Sequence, residues 1–66
     1  MTMLKLKEVQ KMTGLGRSSI YAYVDKGIFP AQIKLGPRSV GWLEDEIIDW
    51  LKGRILARDA ANYSTY

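Results

Sequence analysis

Between residues 14 and 41 a glycine or a proline stands at seven positions: Gly14, Gly16, Gly27, Pro30, Gly36, Pro37 and Gly41. Glycine reaches backbone conformations closed to other residues, and proline blocks continuation of a helix or a central strand. The longest uninterrupted run in this stretch is Arg17 to Lys26. The chain must therefore be built from short elements joined by tight turns, with room for a long element only after Gly41.

The hydrophobic period assigns those elements. Leu6, Val9 and Met12 are three apart, which is helical spacing. The start of this helix is poorly marked, because no Ser, Thr, Asp or Asn stands just before Leu6. Gly14 ends it. The Gly14-Leu15-Gly16 segment has too little of a glycine pattern to cradle a phosphate and reads as a turn. A second helix is expected from about Arg17 to Lys26, with Gly16 as N-cap and Gly27 as C-cap. Its inward face carries Ile20 and Val24, and its outward face Ser18, Ala22 and Asp25. Two short helices joined by a glycine-containing turn describe a helix-turn-helix. After Gly27 the period changes from helix to strand. Ile33 and Leu35, then Val40 and Trp42, alternate around the turn Gly36-Pro37-Arg38-Ser39. This predicts a hairpin whose apolar rows pack on the helices, with Gly41 marking a bulge or a close backbone approach. Leu43, Ile47, Trp50, Leu51 and Ile55 form the core stripe of a last helix from about Glu44 to Ala57 or a little beyond, widened by Ile48. Residues 59–66 have no period and are expected to form a flexible tail beyond a single domain over residues 1–58. The fold class is thus mainly α with a small β-hairpin, a winged helix-turn-helix.

Composition removes most chemistry. The 66 residues include no cysteine and no histidine. No disulfide or Cys/His zinc site is available, and neither is a His base or a Cys nucleophile. Asp45, Glu46 and Asp49 read as a solvated helix start whose carboxylates suit the positive end of the helix dipole. Trp42 and Trp50 read as core bulk, because a chain this short buries only roughly 60% of its unfolded surface. No catalytic residue, metal or cofactor is expected. Absence of a long apolar run and of a signal-peptide pattern predicts a cytoplasmic, nucleoid-associated protein with no membrane partner.

The charge is unevenly divided. From Met1 to Leu43, seven cations (Lys5, Lys7, Lys11, Arg17, Lys26, Lys34, Arg38) stand against two acids, leaving +5. From Glu44 to Tyr66, three cations stand against five acids, leaving −2. A basic front on a helix-turn-helix with a wing suits double-stranded DNA, whose major groove admits a helix. The expected DNA-binding residues are Arg17, Ser18, Ser19, Tyr21, Ala22, Lys26, Lys34, Arg38 and Ser39. Arg17 suits guanine or phosphate. Ser18 and Ser19 suit phosphates or base edges, and Tyr21 suits phosphate or sugar unless it packs on the wing. Ala22 permits close approach or meets a thymine methyl. Lys26 and Lys34 suit phosphates, and Arg38, followed by Ser39 at the wing tip, suits a phosphate or the minor groove.

Several segments together carry a family resemblance. These are Leu6-Lys7-Glu8-Val9, Thr13-Gly14-Leu15, Arg17-Ser18-Ser19-Ile20-Tyr21, Gly27-Ile28-Phe29-Pro30, Lys34 to Trp42, Glu46-Ile47 and Trp50-Leu51. In this order they resemble the AlpA family of short prophage regulators, related to excisionases and to MerR-type winged helix-turn-helix proteins. The resemblance spans roughly Leu4 to Ile55. It implies a DNA-binding transcriptional regulator of integrase or excision-related genes, with Arg17 to Ala22 as recognition helix and Lys34 to Ser39 as wing. Gly16 stands where the family usually has Ser, and Ala22 where it often has a basic residue. The rival readings are an architectural excisionase-like factor that bends DNA and, from a different class, a protein-binding anti-repressor. Besides DNA, the candidate partners are a second copy of the chain, as a dimer through Ile48, Leu51 and Ile55 or as adjacent copies on DNA, and RNA polymerase or a recombinase.

Overall fold

The computed structural model describes the backbone of residues 1–65 and the side chains of residues 1–61. Its elements are β1 (Met3–Leu4), α1 (Leu6–Thr13), α2 (Arg17–Asp25), β2 (Ile33–Gly36), β3 (Ser39–Leu43) and α3 (Glu44–Thr65). The expected order of helix, turn, helix, hairpin and helix is present, with one addition. Met3 and Leu4 pair antiparallel with Leu43 and Trp42, so the sheet has three strands in the order β1-β3-β2. Two residues are too few to show an alternation, and this strand therefore leaves no signature in the sequence.

The helix termini follow local chemistry. At the start of α1 the Glu8 carboxylate accepts from the Lys5 backbone N–H at 2.9 Å, a cap supplied from inside the helix where no capping residue precedes it. Gly14, at φ 73°, closes α1 by donating its N–H to the Gln10 carbonyl at 2.8 Å. Gly27, at φ 75°, closes α2 with two bonds: its own N–H to the Val24 carbonyl, and the Ile28 N–H to the Tyr23 carbonyl, both 3.0 Å. This is the Schellman arrangement, which needs a residue without a Cβ penalty in the left-handed region. The helix itself stops at Asp25, one residue before the expected boundary.

The core is Leu4, Val9, Ile20, Phe29, Trp42 and Ile47, with Leu6, Leu15, Tyr21, Tyr23, Val24, Val40, Trp50 and Leu51 packed against it. Every element except β2 contributes. Met12, in the apolar spacing of α1, is 37% exposed, and Leu15 in the following turn packs against the core. Trp42 is core, as expected, whereas Trp50 is half-buried against it, and both indoles also act as clasps. Trp42 Nε1 donates to the Pro30 carbonyl at 2.9 Å, and Trp50 Nε1 donates to the Ile28 carbonyl at 2.7 Å. The Phe29 ring between them meets Trp50 edge to face at 4.8 Å.

The hairpin corrects a second expectation. Ile33 and Leu35 do not join the helical core but remain 38% and 45% exposed. The register explains this. Ile33 lies opposite Gly41, one residue out of step with Val40 and Trp42, so its side chain points to the other sheet face. The ladder then slips between Lys34 and Gly36, making Leu35 the extra residue of a bulge. Gly41 is the close approach rather than the bulge. A Cβ there would stand 2.9 Å from Leu35 Cδ1, 3.1 Å from the Leu4 carbonyl oxygen and 3.3 Å from Met3 Cε.

α3 also exceeds its expected end near Ala57 and continues through Thr65. Beyond Gly53 no glycine or proline interrupts it, and Ala57, Ala60 and Ala61 are strong helix formers. Tyr66, the last residue of the expected tail, lies outside the described residues.

Replacing Trp42 by Phe removes the donor to Pro30 and leaves a void at a fully buried site. The expected cost is about 2–4 kcal/mol, a large share of the stability of so small a domain. Urea unfolding followed by circular dichroism measures it. A loss below about 1 kcal/mol would show that the Trp42 clasp is dispensable.

Candidate nucleic-acid interface

The turn between α1 and α2 is held by one side chain. Thr13 Oγ1 donates to the Val9 carbonyl at 2.8 Å and accepts the Leu15 backbone N–H at 3.2 Å. Leu15 then anchors the turn in the core. Gly16, at φ −78° and ψ 164°, opens α2 without a side-chain cap. Its backbone lies in the ordinary extended region, so the glycine here is not forced by conformation.

Ile20 is fully buried and orients α2 about its axis. Arg17, Ser18 and Ala22 are exposed, and Ser19 is half-buried. Tyr21 does both things weighed for it. Its ring packs edge to face on Trp42 with centroids 6.2 Å apart, yet it remains partly accessible. The Arg17 guanidinium stands 5.8 Å from the Tyr21 centroid, a cation–π contact. Arg17, Tyr21 and Trp42 thus form a chain of contacts from the first turn of α2 to the central strand. Lys26 is exposed at the far end of α2, about 13 Å from Arg17 along the axis. It belongs to the same helix but not to that chain of contacts.

On the hairpin, Lys34 and Arg38 are exposed. Lys34 lies opposite Val40, on the sheet face that carries Trp42 and meets Tyr21. Ser39 is half-buried, and its Oγ accepts from Lys5 Nζ at 2.8 Å. Lys5 was not among the expected contact residues. It sits 34 residues from Ser39 in sequence. Only the pairing of β1 with β3 brings the two together, and no local pattern reports that pairing.

The electrostatics follow from what is missing. Lys5, Lys7, Lys11, Arg17, Lys26, Lys34 and Arg38 are all exposed. Among the described residues the ion pair is Arg58 with Asp59 at 2.8 Å, in α3. Among the described residues no carboxylate forms an ion pair with any of the seven front cations. Among the same residues no His, Cys, Asp or Glu cluster is placed to hold a metal ion, and no helix is long and apolar enough to cross a membrane.

A family model described as prophage CP4-57 regulatory protein (AlpA) matches residues 2–55. The chain belongs to the AlpA family. Two relatives agree with that assignment. Uncharacterized protein ORF88 of Enterobacteria phage P4 is 46% identical over 55 residues, covering 83% of this chain and 62% of that protein's own length. The DNA-binding transcriptional activator AlpA of Escherichia coli strain K12 is 39% identical over 57 residues, covering 77% of this chain and 81% of its own. The family is one of regulators and not of enzymes. The AlpA match runs from β1 to the packed half of α3 and so takes in both helices of the helix-turn-helix and the whole wing.

Thr13→Val keeps the shape of the side chain but removes both hydrogen bonds of the turn. It should lower stability by about 1 kcal/mol, read as a shift of the denaturation midpoint at constant m-value. No shift would mean that water satisfies the Leu15 N–H equally well.

Proposed function

We propose that this AlpA-family protein is a sequence-specific double-stranded DNA-binding transcriptional regulator of a prophage or mobile element, acting on integrase or excision-related genes. The observation that carries the reading is the set of seven exposed cations, none paired to a carboxylate among the described residues, on the part of the chain that forms the helix-turn-helix and wing. An exposed cation without a counter-charge releases condensed counterions when it meets a phosphate, and that release drives binding. The K12 relative, a DNA-binding transcriptional activator, supports the same reading.

In this reading the N-terminal half of α2 enters the major groove. The Arg17 guanidinium, pre-oriented over the Tyr21 ring, presents its fork to a guanine edge or a phosphate. Ser18 and Ala22 face the base edges, and Ser19 lies at the margin of the contact. The Tyr21 hydroxyl meets the backbone while its ring stays on Trp42. Lys26, Lys34, Arg38 and Ser39 meet phosphates to either side, fixing register without reading sequence. One such module buries about 600–1,000 Å² on DNA, so useful affinity calls for more than one copy per site.

Arg17→Ala should weaken binding to a footprinted site by about 1–3 kcal/mol and relax selectivity at one base pair. Equal affinity of variant and wild type in a gel-shift titration would remove Arg17 from base recognition. Lys34→Ala and Arg38→Ala should each weaken binding evenly across sequences and reduce the slope of log K against log salt by about 1. A sequence-selective loss would instead make the wing a base reader. Binding with no salt dependence at all would point to a protein partner in place of DNA.

A further inference from the structure

An open groove lies where the link between α2 and β2 meets the first turns of α3. Its volume is about 510 Å³, and its lining includes Ile28, Phe29 and Pro30 from the link and Glu46, Asp49 and Trp50 from α3. The floor is apolar. Phe29 is buried, Pro30 and Trp50 are half-buried, and the Phe29 ring meets Trp50 edge to face. Ile28 keeps 54% of its surface in water. It follows the Schellman glycine, a place where an apolar side chain commonly packs back on its own helix. The Trp50 indole takes the Ile28 carbonyl, so the link is held there without its side chain being covered.

The rim is anionic. Glu46, Asp49 and Trp50 fall at i, i+3 and i+4 and share one face of α3. Both carboxylates are exposed, and neither has an ion-pair partner among the described residues. The helix dipole accounts for Glu44, Asp45 and Glu46 in the first turn. It does not account for Asp49, which lies beyond that turn and repels Asp45 four residues before it and Glu46 three before it. No Lys or Arg stands between Arg38 and Lys52 in the chain. Arg54, one turn further along α3, lies over the Trp50 ring at 5.9 Å and pairs with neither carboxylate.

We propose that this groove docks a segment of another protein in which an apolar side chain is flanked by Lys or Arg. Charge complementarity selects that occupant. The rim repels the phosphates of nucleic acid or anionic lipid, and a bare cation gains nothing from the floor. The apolar side chain lies on Ile28, Phe29 and Trp50, where water leaves apolar surface on both partners. The flanking cations meet Glu46 and Asp49. A tryptophan at the centre of such a contact belongs to the residue types that carry most binding energy. None of the residues lining the groove is a candidate DNA contact, so occupation of the groove leaves α2 and the wing free. The inference is independent of the DNA-binding reading, and its test needs no DNA.

The probe is a pentapeptide of sequence Lys-Arg-Leu-Arg-Lys, capped at both ends and titrated at low salt into the isotope-labelled full chain. Saturable resonance shifts should appear in the amides of Ile28, Phe29, Glu46 and Asp49 and in the Trp50 indole, with a millimolar dissociation constant. Glu46→Gln combined with Asp49→Asn should weaken binding at least about fivefold, and so should Ile28→Ser. All three sites are exposed, so helical circular dichroism should be retained in both variants. The same peptide with Gly in place of Leu, and spermidine, supply charge without an apolar side chain. Each should bind at least about fivefold more weakly than the Leu peptide. Absence of saturable shifts with the Leu peptide overturns the proposal. So does equal affinity for the Gly peptide or for spermidine, and so does unchanged binding in either folded variant.

Discussion

Two indole N–H groups hold the segment Ile28–Phe29–Pro30 in place, and the relation of α2 to the wing depends on them. This segment is the only covalent link between α2 and the hairpin. It leaves α2 through the Schellman turn at Gly27 and must reach β2 across an irregular stretch with no ladder of its own. Trp42 from β3 and Trp50 from α3 each take one of its carbonyls, while the buried Phe29 ring meets Trp50 edge to face. Each indole gives one loop carbonyl a partner, the Trp42–Pro30 bond partly buried and the Trp50–Ile28 bond exposed. Apolar bulk for a small core and donors that hold this loop come from the same side chains.

The α2 side of the molecule is held just as economically. Ile20 fixes its rotation, Tyr21 ties its exposed flank to Trp42, and Thr13 sets the turn before it. Arg17 is therefore carried on a helix whose position is determined from three directions. Its ring contact with Tyr21 limits the orientations it must give up on meeting a partner, which lowers the entropic cost of recognition.

The helical part of this fold was legible in the sequence because glycine and hydrophobic spacing agree there. Gly14 and Gly27 mark ends that need the left-handed conformation, and Val9, Ile20 and Ile47 recur at helical intervals and are buried. The hairpin was legible as a hairpin but not in its facing. Ile33 and Leu35 look like an inward row until the register is known, and a bulge at Leu35 cannot be read from alternation. β1 is too short to leave a pattern. The length of α3 was underestimated because residues 59–65 lack an apolar period, although alanine propensity and the absence of breakers sufficed to continue it. At the candidate interface the α2 residues followed from helix geometry. Lys5 did not, since its contact with Ser39 is a product of tertiary pairing alone.

The slip at Leu35 has a further consequence for the sheet. β2 is an edge strand, and its outer row of amides is open to any extended chain that drifts alongside. Flat, regular edges invite such pairing and lead to aggregation. Here the bulge bends the edge, Lys34 places a charge on it, and Pro37 removes a donor just past its end. The irregularity that hides Ile33 and Leu35 from a sequence reader also guards the wing against uncontrolled strand addition.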